Sequence, residues 1–411
     1  MTVKCRACRS EADILLDCGP QPFANRYEPT PSERPATWPK RFGFCPRCGL
    51  VQALDPADVR LLECAVDWLQ FNEPEEHLAT LAARLASPLP ASASIGGLSA
   101  KDASLVSALH QKGARTRWLL TPAMLGLGSR NPGLARIQNA IAAGGAGPLE
   151  PVTLLVARHI WEHVHDLPRF AWEVHRLLED NGRLFVEVPA CEPELRAGDY
   201  ARLWEEHTQH FTETSLANVF RLLGFVPEWV TRAQTKQEEV LLALFRKDAG
   251  TPDSALLTGV GPDQALAREY AAGFMPRRRA VQEHVAYFQR TGSIAMLGAG
   301  HLGFTFLHLM GIADRVACLF DDNPHKQGLF MGGISAPIRP SAGLAESGAS
   351  LCLVGVNPTA EAALVGRQEA FLASGGVFAS IFPSSCRYIG ESFIMNASGG
   401  QGSALDPAGG L

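Results

Sequence analysis

The chain has 411 residues, 46% of them hydrophobic and 19% charged, with a formal net charge of −5. This balance describes a globular protein of two or three domains with large cores. It excludes nucleic acid or an anionic membrane as the main partner, because the dense basic run is confined to Arg277-Arg278-Arg279.

No apolar stretch reaches the roughly 18 residues that cross a bilayer. Nothing resembles a signal peptide, so a cytoplasmic protein is expected. Six of the ten cysteines precede residue 65, which suits metal-binding thiols better than a disulfide frame. Residues 1–65 read as a zinc module. Cys5-x-x-Cys8 and Cys45-x-x-Cys48 supply four thiolates at the bite of tetrahedral zinc. Gly49 lets the second knuckle turn tightly. The competing reading is four reduced thiols in a small core. Cys18 and Cys64 are spare ligands or buried thiols.

Residues 75–250 alternate between helical and strand patterns. Helices are expected at 75–85, 101–112, 166–179 and 214–223, and strands at 93–97, 117–120, 151–157, 182–188 and 238–245. Such alternation builds a mostly parallel sheet covered on both faces. The Gly- and Ala-rich stretch 126–148 reads as a loop with a short helix. A linker is expected over 249–265, then a helix over 268–291 carrying the arginine triplet. That triplet is either a solvated face or an anion-binding patch. Strands at 293–297, 315–320, 351–356 and 376–381, with a helix at 303–310, make a second α/β unit over 265–395. The tail 396–411 is expected to be disordered.

Three stretches carry chemistry. Gly298-Ala299-Gly300-His301-Leu302-Gly303 follows a predicted strand and opens a helix, and the next strand ends in Asp321-Asp322. This is the setting of a dinucleotide fingerprint, or of a glycine turn needed only for strand–helix packing. Trp204-Glu205-Glu206-His207-Thr208-Gln209-His210-Phe211 lies beyond Glu187-Val188-Pro189 at a strand's carboxyl end, where open α/β sheets bind ligands. Its imidazoles and carboxylates suit proton abstraction, with His207 as base and Glu206 as its orienter. A polar surface loop is the plainer reading, and a metal on Glu206, His207 and His210 a third. Ala157-Arg158-His159-Ile160-Trp161-Glu162-His163-Val164 sits at another strand's carboxyl end. It is either a pocket lining or a capped helix start with a packed histidine.

Together these pieces resemble the zinc-containing sugar C-methyltransferases, which methylate C3 of keto-deoxysugar nucleotides. The likeness runs over residues 4–390. It rests on Asp17-Cys18-Gly19-Pro20-Gln21-Pro22-Phe23-Ala24-Asn25, Cys48-Gly49-Leu50-Val51-Gln52, Glu187-Val188-Pro189, the Glu206-His207 loop, Asp321-Asp322-Asn323-Pro324-His325-Lys326-Gln327-Gly328 and Ala336-Pro337-Ile338. The resemblance implies a zinc module, a central S-adenosylmethionine (SAM) methyltransferase fold and a C-terminal Rossmann-like domain. It places the catalytic Tyr-His-Glu-His loop on Trp204, Glu205, Glu206 and His207, so Glu206 and His207 are retained. The family's Asn-x-x-x-His stretch falls on His159 and His163, which implies a catalytic His163 and a cofactor-side His159.

SAM would then bind near Gly96, Gly97, Asp102 and Thr121, and the nucleotide-sugar near Gly298, Gly300, Gly303, Asp321 and Lys326. The cofactor turn departs from the family pattern. Ser94 stands where the family has Glu, Ala103 where it has Gly, and Thr121 where it has the ribose carboxylate. The expected activity is SAM-dependent C-methyl transfer to a nucleotide-linked keto-sugar. The alternatives are a drifted nucleotide-sugar-binding or scaffold relative without SAM activity, or an NAD enzyme using the Gly298 loop.

Overall fold

The computed structural model describes residues 3–32, 34–62, 66, 68–69, 73–128, 132–248, 257 and 259–390. Cys64 and the tail 396–411 lie outside the described residues. Short strands dominate the start of the chain: β1 (Val3–Lys4), β2 (Glu11–Pro22), β3 (Tyr27–Glu28), β4 (Thr37–Phe44) and β5 (Val51–Ala53). In β4 the period-two pattern buries Trp38, Lys40, Phe42 and Phe44.

The central unit contains α1 (Leu78–Ala86), β6 (Ser94–Gly97), α2 (Ala103–Gln111), β7 (Arg115–Leu119), α3 (Gly133–Ala142), β8 (Val152–Arg158), α4 (Leu167–Arg176) and β9 (Leu178–Pro189). It continues with α5 (Cys191–Ala197), β10 (Gln209–His210), α6 (Glu213–Leu222), β11 (Phe225–Gln234) and β12 (Glu239–Lys247). Its sheet runs β11-β12-β9-β8-β6-β7. The four strands β6 to β9 pair in parallel, and β12 and β11 close the edge antiparallel.

Alternation along β8 divides the two cores. Leu155 and Ala157 pack with Ile141, Phe170 and Val174, whereas Leu154 and Val156 pack with Leu81, Leu85 and Leu105. In α4, Leu167, Phe170, Ala171 and Val174 form one apolar stripe, and Asp166 caps its start by accepting the Arg169 amide at 3.1 Å.

Beyond it come α7 (Val260–Phe288), β13 (Ser293–Leu297), α8 (His301–Met310), β14 (Val316–Phe320), β15 (Phe330–Met331), β16 (Ile338–Arg339), β17 (Ala349–Val354), α9 (Pro358–Gly366), α10 (Glu369–Ala373) and β18 (Val377–Ser380). The parallel sheet β16-β14-β13-β17-β18 forms the C-terminal unit.

The first segment ties the units together. Strand β10 joins β5, with Val51 opposite His210, and β15 joins β3, with Met331 opposite Tyr27.

Three expectations need correction. The helix expected from residue 268 begins at Val260, so the described end of the expected linker is helical. Pro262 sits in its first turn, where a missing N–H costs nothing. Strand β11 was not expected, because Pro227 and its charged residues hide the pattern. Proline is tolerated there because β11 is an edge strand with a bulge between Pro227 and Trp229. The arginine triplet is split, Arg279 being exposed and the other two turned to helix ends. Arg277 donates to the carbonyls of Ala197 and Gly198 at the end of α5, at 2.6 and 3.1 Å, and Arg278 packs against Gly311 at the end of α8. Cations suit those helix ends.

Candidate functional site

The sulfurs of Cys5, Cys8, Cys45 and Cys48 lie within 4.8 Å of one another. Each knuckle closes the same way. Arg9 N donates to Cys5 O at 3.0 Å, and Gly49 N to Cys45 O at 2.9 Å. Both closing residues take positive φ, +61° at Arg9 and +82° at Gly49. Four thiols at this spacing have the donor chemistry for a closed zinc site. The cluster is wired to the central unit, since Asn218 Nδ2 of α6 donates to Cys48 O at 3.4 Å and β5 pairs with β10.

Strand β10 ends the loop that carries Glu206 and His207. This loop is laced to the stretch after β8. Thr208 N donates to Glu162 O at 2.7 Å, Thr208 Oγ1 to Val164 O at 3.0 Å, and Gln209 Nε2 to Val164 O at 2.7 Å. Two stretches singled out separately in the sequence thereby form one site. The rings of His163 and His207 meet edge to face, with centroids 4.9 Å apart, and His163 Nδ1 lies 3.9 Å from Glu206 Oε2. Trp204 stands beside His207 at 5.1 Å and lies tilted against His301 at 4.5 Å. Because His301 opens α8, the C-terminal glycine loop forms one wall. Glu205 turns away, accepting the Ala24 amide at 2.5 Å. His210 also turns away, edge-on to Phe42, so Glu206, His207 and His210 do not gather around one ion.

Burial sets the protonation states. It pushes His163 down to about 3. It holds His207 well below the usual imidazole range, helped by nearby His163, His210 and His301. Burial, then the Glu205 charge, raises Glu206 well above the usual carboxylate range. Near neutrality the site thus presents two neutral imidazoles, each an acceptor, beside a carboxyl group biased toward its protonated form.

Beneath it lies a buried ionic floor. Arg158, 0% exposed, donates through Nε to Glu187 at 2.7 Å and through its backbone N to Asp102 at 2.8 Å. His159 takes φ +50° and is 3.2 Å from Glu187 and 3.5 Å from Glu162. Burial opposes its charge, but Glu73, Glu162 and Glu187 together raise its pKa well above the usual value. His159 therefore serves the protein's own ion network.

The residues expected to hold SAM are mostly used internally. A Cβ on Gly96 would lie 2.7 Å from the Trp118 ring, and one on Gly97 would lie 2.6 Å from Leu119 Cδ1. These glycines make room for neighbouring side chains. Asp102 is 0% exposed and accepts the Ser99 and Arg158 amides, each at 2.8 Å. Ser94 bonds Thr153 and Glu179. Thr121 is exposed, carries no charge and caps the Met124 amide. The side chains of this turn do not fit the ribose end of SAM, which calls for a carboxylate at the end of β7.

The C-terminal loop is similar. Asp321 accepts Lys326 Nζ at 2.7 Å and Ala299 N at 3.0 Å, so the two groups expected to meet substrate meet each other. Gly298 and Gly303 make room for Val356 and Met296, whereas Gly300 has no neighbour within 4 Å of a built Cβ. Open backbone remains at Gly300, next to His301. Sequence reasoning missed Glu162 and His301. Both lie inside quoted motifs, but only the fold turns them toward His207.

A family model described as a methyltransferase domain matches residues 68–228. A second, described as a C-methyltransferase C-terminal domain, matches residues 263–383. Together these matches support a C-methyltransferase family. No curated protein matches the chain. Among solved structures, the 1,6-didemethyltoxoflavin-N1-methyltransferase of Burkholderia thailandensis, with bound S-adenosylhomocysteine, is 15% identical. It covers 48% of this chain and 96% of its own, at a TM-score of 0.26. A SAM-dependent methyltransferase of Methanosarcina mazei is 12% identical, covering 41% and 98% at 0.29. The N-methyltransferase NodS of Bradyrhizobium japonicum is 14% identical, covering 42% and 96% at 0.27. At such scores these likenesses carry no argument about this chain.

Proposed function

Taking as premise the SAM-dependent methyltransferase that its two family matches make of this chain, we propose that it methylates a carbon next to the ketone of a nucleotide-linked keto-sugar. The observation that carries this reading is the gathering of His207, His163 and Glu206 beside His301. A neutral His207 accepts the proton on the carbon next to the ketone. Glu206, biased toward its protonated form and 3.9 Å from His163 Nδ1, offers a hydrogen bond toward developing negative charge. Trp204 and His301 supply a ring wall for the sugar, and the open backbone at Gly300 lies on the nucleotide side.

The family implies SAM as methyl donor. The turn side chains do not hold it, and the residues named above act on the acceptor sugar. We assign a structural zinc ion to Cys5, Cys8, Cys45 and Cys48, and domains to 1–65, 75–250 and 265–395. The test is incubation with methyl-labelled SAM and a nucleotide-linked 4-keto-deoxysugar. Label on the carbon beside the ketone is expected. Label on oxygen or nitrogen, or no label with a folded, zinc-loaded protein, would overturn the reading.

A further inference from the structure

We propose that Glu162, His163 and His207 form a second metal site, for a divalent first-row transition ion, separate from the four cysteines. One ligand-capable atom from each lies within 4.8 Å of the others. An ion bound tetrahedrally at about 2.0–2.2 Å wants its ligands on the order of 3.4 Å apart, so small side-chain rotations would close the site.

Two further observations point to a ligand. Glu162 is 2% exposed and neither of its oxygens accepts a hydrogen bond, its contact to His159 Nδ1 being an ion pair at 3.5 Å. His163 is 4% exposed, and its Nδ1 has no hydrogen-bond partner and lies 3.9 Å from Glu206. A buried carboxylate and a buried ring nitrogen left this way are costly, and a shared cation would satisfy both. The supports are firm, because Glu162 and His163 lie on a single turn whose carbonyls Thr208 engages. Two nitrogens and one oxygen favour zinc, cobalt or iron over magnesium or calcium.

One consequence rests on the proposed function. The same His207 lone pair cannot hold a metal and accept a proton, so occupancy should switch proton transfer off. Binding itself is measured without substrate, which keeps the two ideas separable.

The experiment titrates Co(II) into the full chain loaded with a single equivalent of zinc, which the four cysteines take, and follows visible absorption. One further equivalent of cobalt is expected, with ligand-field bands but without the charge-transfer absorption of cobalt–thiolate bonds. Glu162→Gln and His163→Ala should each weaken it at least tenfold, with melting curves showing that both variants fold. Cobalt that appears only with thiolate charge transfer, or that titrates both variants like the parent, would overturn the site. Cobalt bound as expected but without effect on proton transfer would keep the site and remove the base role of His207.

Discussion

Gly96→Ala tests whether the glycine turn serves the protein or a cofactor. The new methyl would sit 2.7 to 2.8 Å from three atoms of the Trp118 ring. The indole cannot swing aside cheaply, because it is 9% exposed and its Nε1 donates to Glu150 O at 2.8 Å. Overpacking of this kind costs about 1–3 kcal/mol. For a unit of this size that is a drop in melting temperature of roughly 2–12 °C. The measurement is a thermal melt of four proteins: the parent, Gly96→Ala, Trp118→Leu and the double variant. In the Trp118→Leu background the alanine should cost far less, since the overlap is gone, and the cycle reports the coupling directly. A Gly96→Ala protein that melts like the parent but loses SAM affinity would refute the reasoning and return the glycine to the cofactor.

Four further outcomes are expected. A Cys45→Ser/Cys48→Ser variant should lose its zinc and melt lower in metal analysis and calorimetry, and should also lose turnover, because β5 carries the loop through β10. His207→Ala should lower turnover about 100- to 10,000-fold in a steady-state assay while leaving SAM affinity nearly unchanged. Thr121→Glu should tighten SAM roughly tenfold or more by titration calorimetry, by supplying the missing carboxylate at the end of β7. The buried imidazoles should favour unfolding as pH drops through their range, since His163 and His301 sit at about 3 and His210 at about 4 when folded against 6.5 unfolded, while Asp102 and Glu194, raised by burial to about 7 and about 8, act in the opposite sense. A His210→Gln variant should therefore lose less melting temperature than the parent between about pH 7 and about pH 4.5, and an equal loss would contradict it.

What the sequence reveals follows from how local each signal is. The cysteine knuckles are legible because the metal bite is written in a spacing of two residues, and the structure assembles all four sulfurs. Strand β8 is legible because an unbroken apolar run has few other uses. Strand β11 is not, since edge strands tolerate proline and charge. His163 and His207 can be suspected from their places beyond strand ends, yet their meeting depends on Thr208 and Gln209 bonding the segment after β8. Glu162 reads as an ordinary polar residue until the fold buries it. Asp102 and His159 show the reverse. Each looks like a ligand-facing group, and each is drawn inward by Arg158 or by Glu187.

The most direct test of the central claim is solvent deuterium exchange into the keto-sugar nucleotide, with no methyl donor present. Proton abstraction by His207 needs no cofactor, so the parent protein should wash deuterium into the carbon beside the ketone, and a folded His207→Ala variant should not. Equal exchange by both proteins, or none by the parent with bound substrate, would contradict the account.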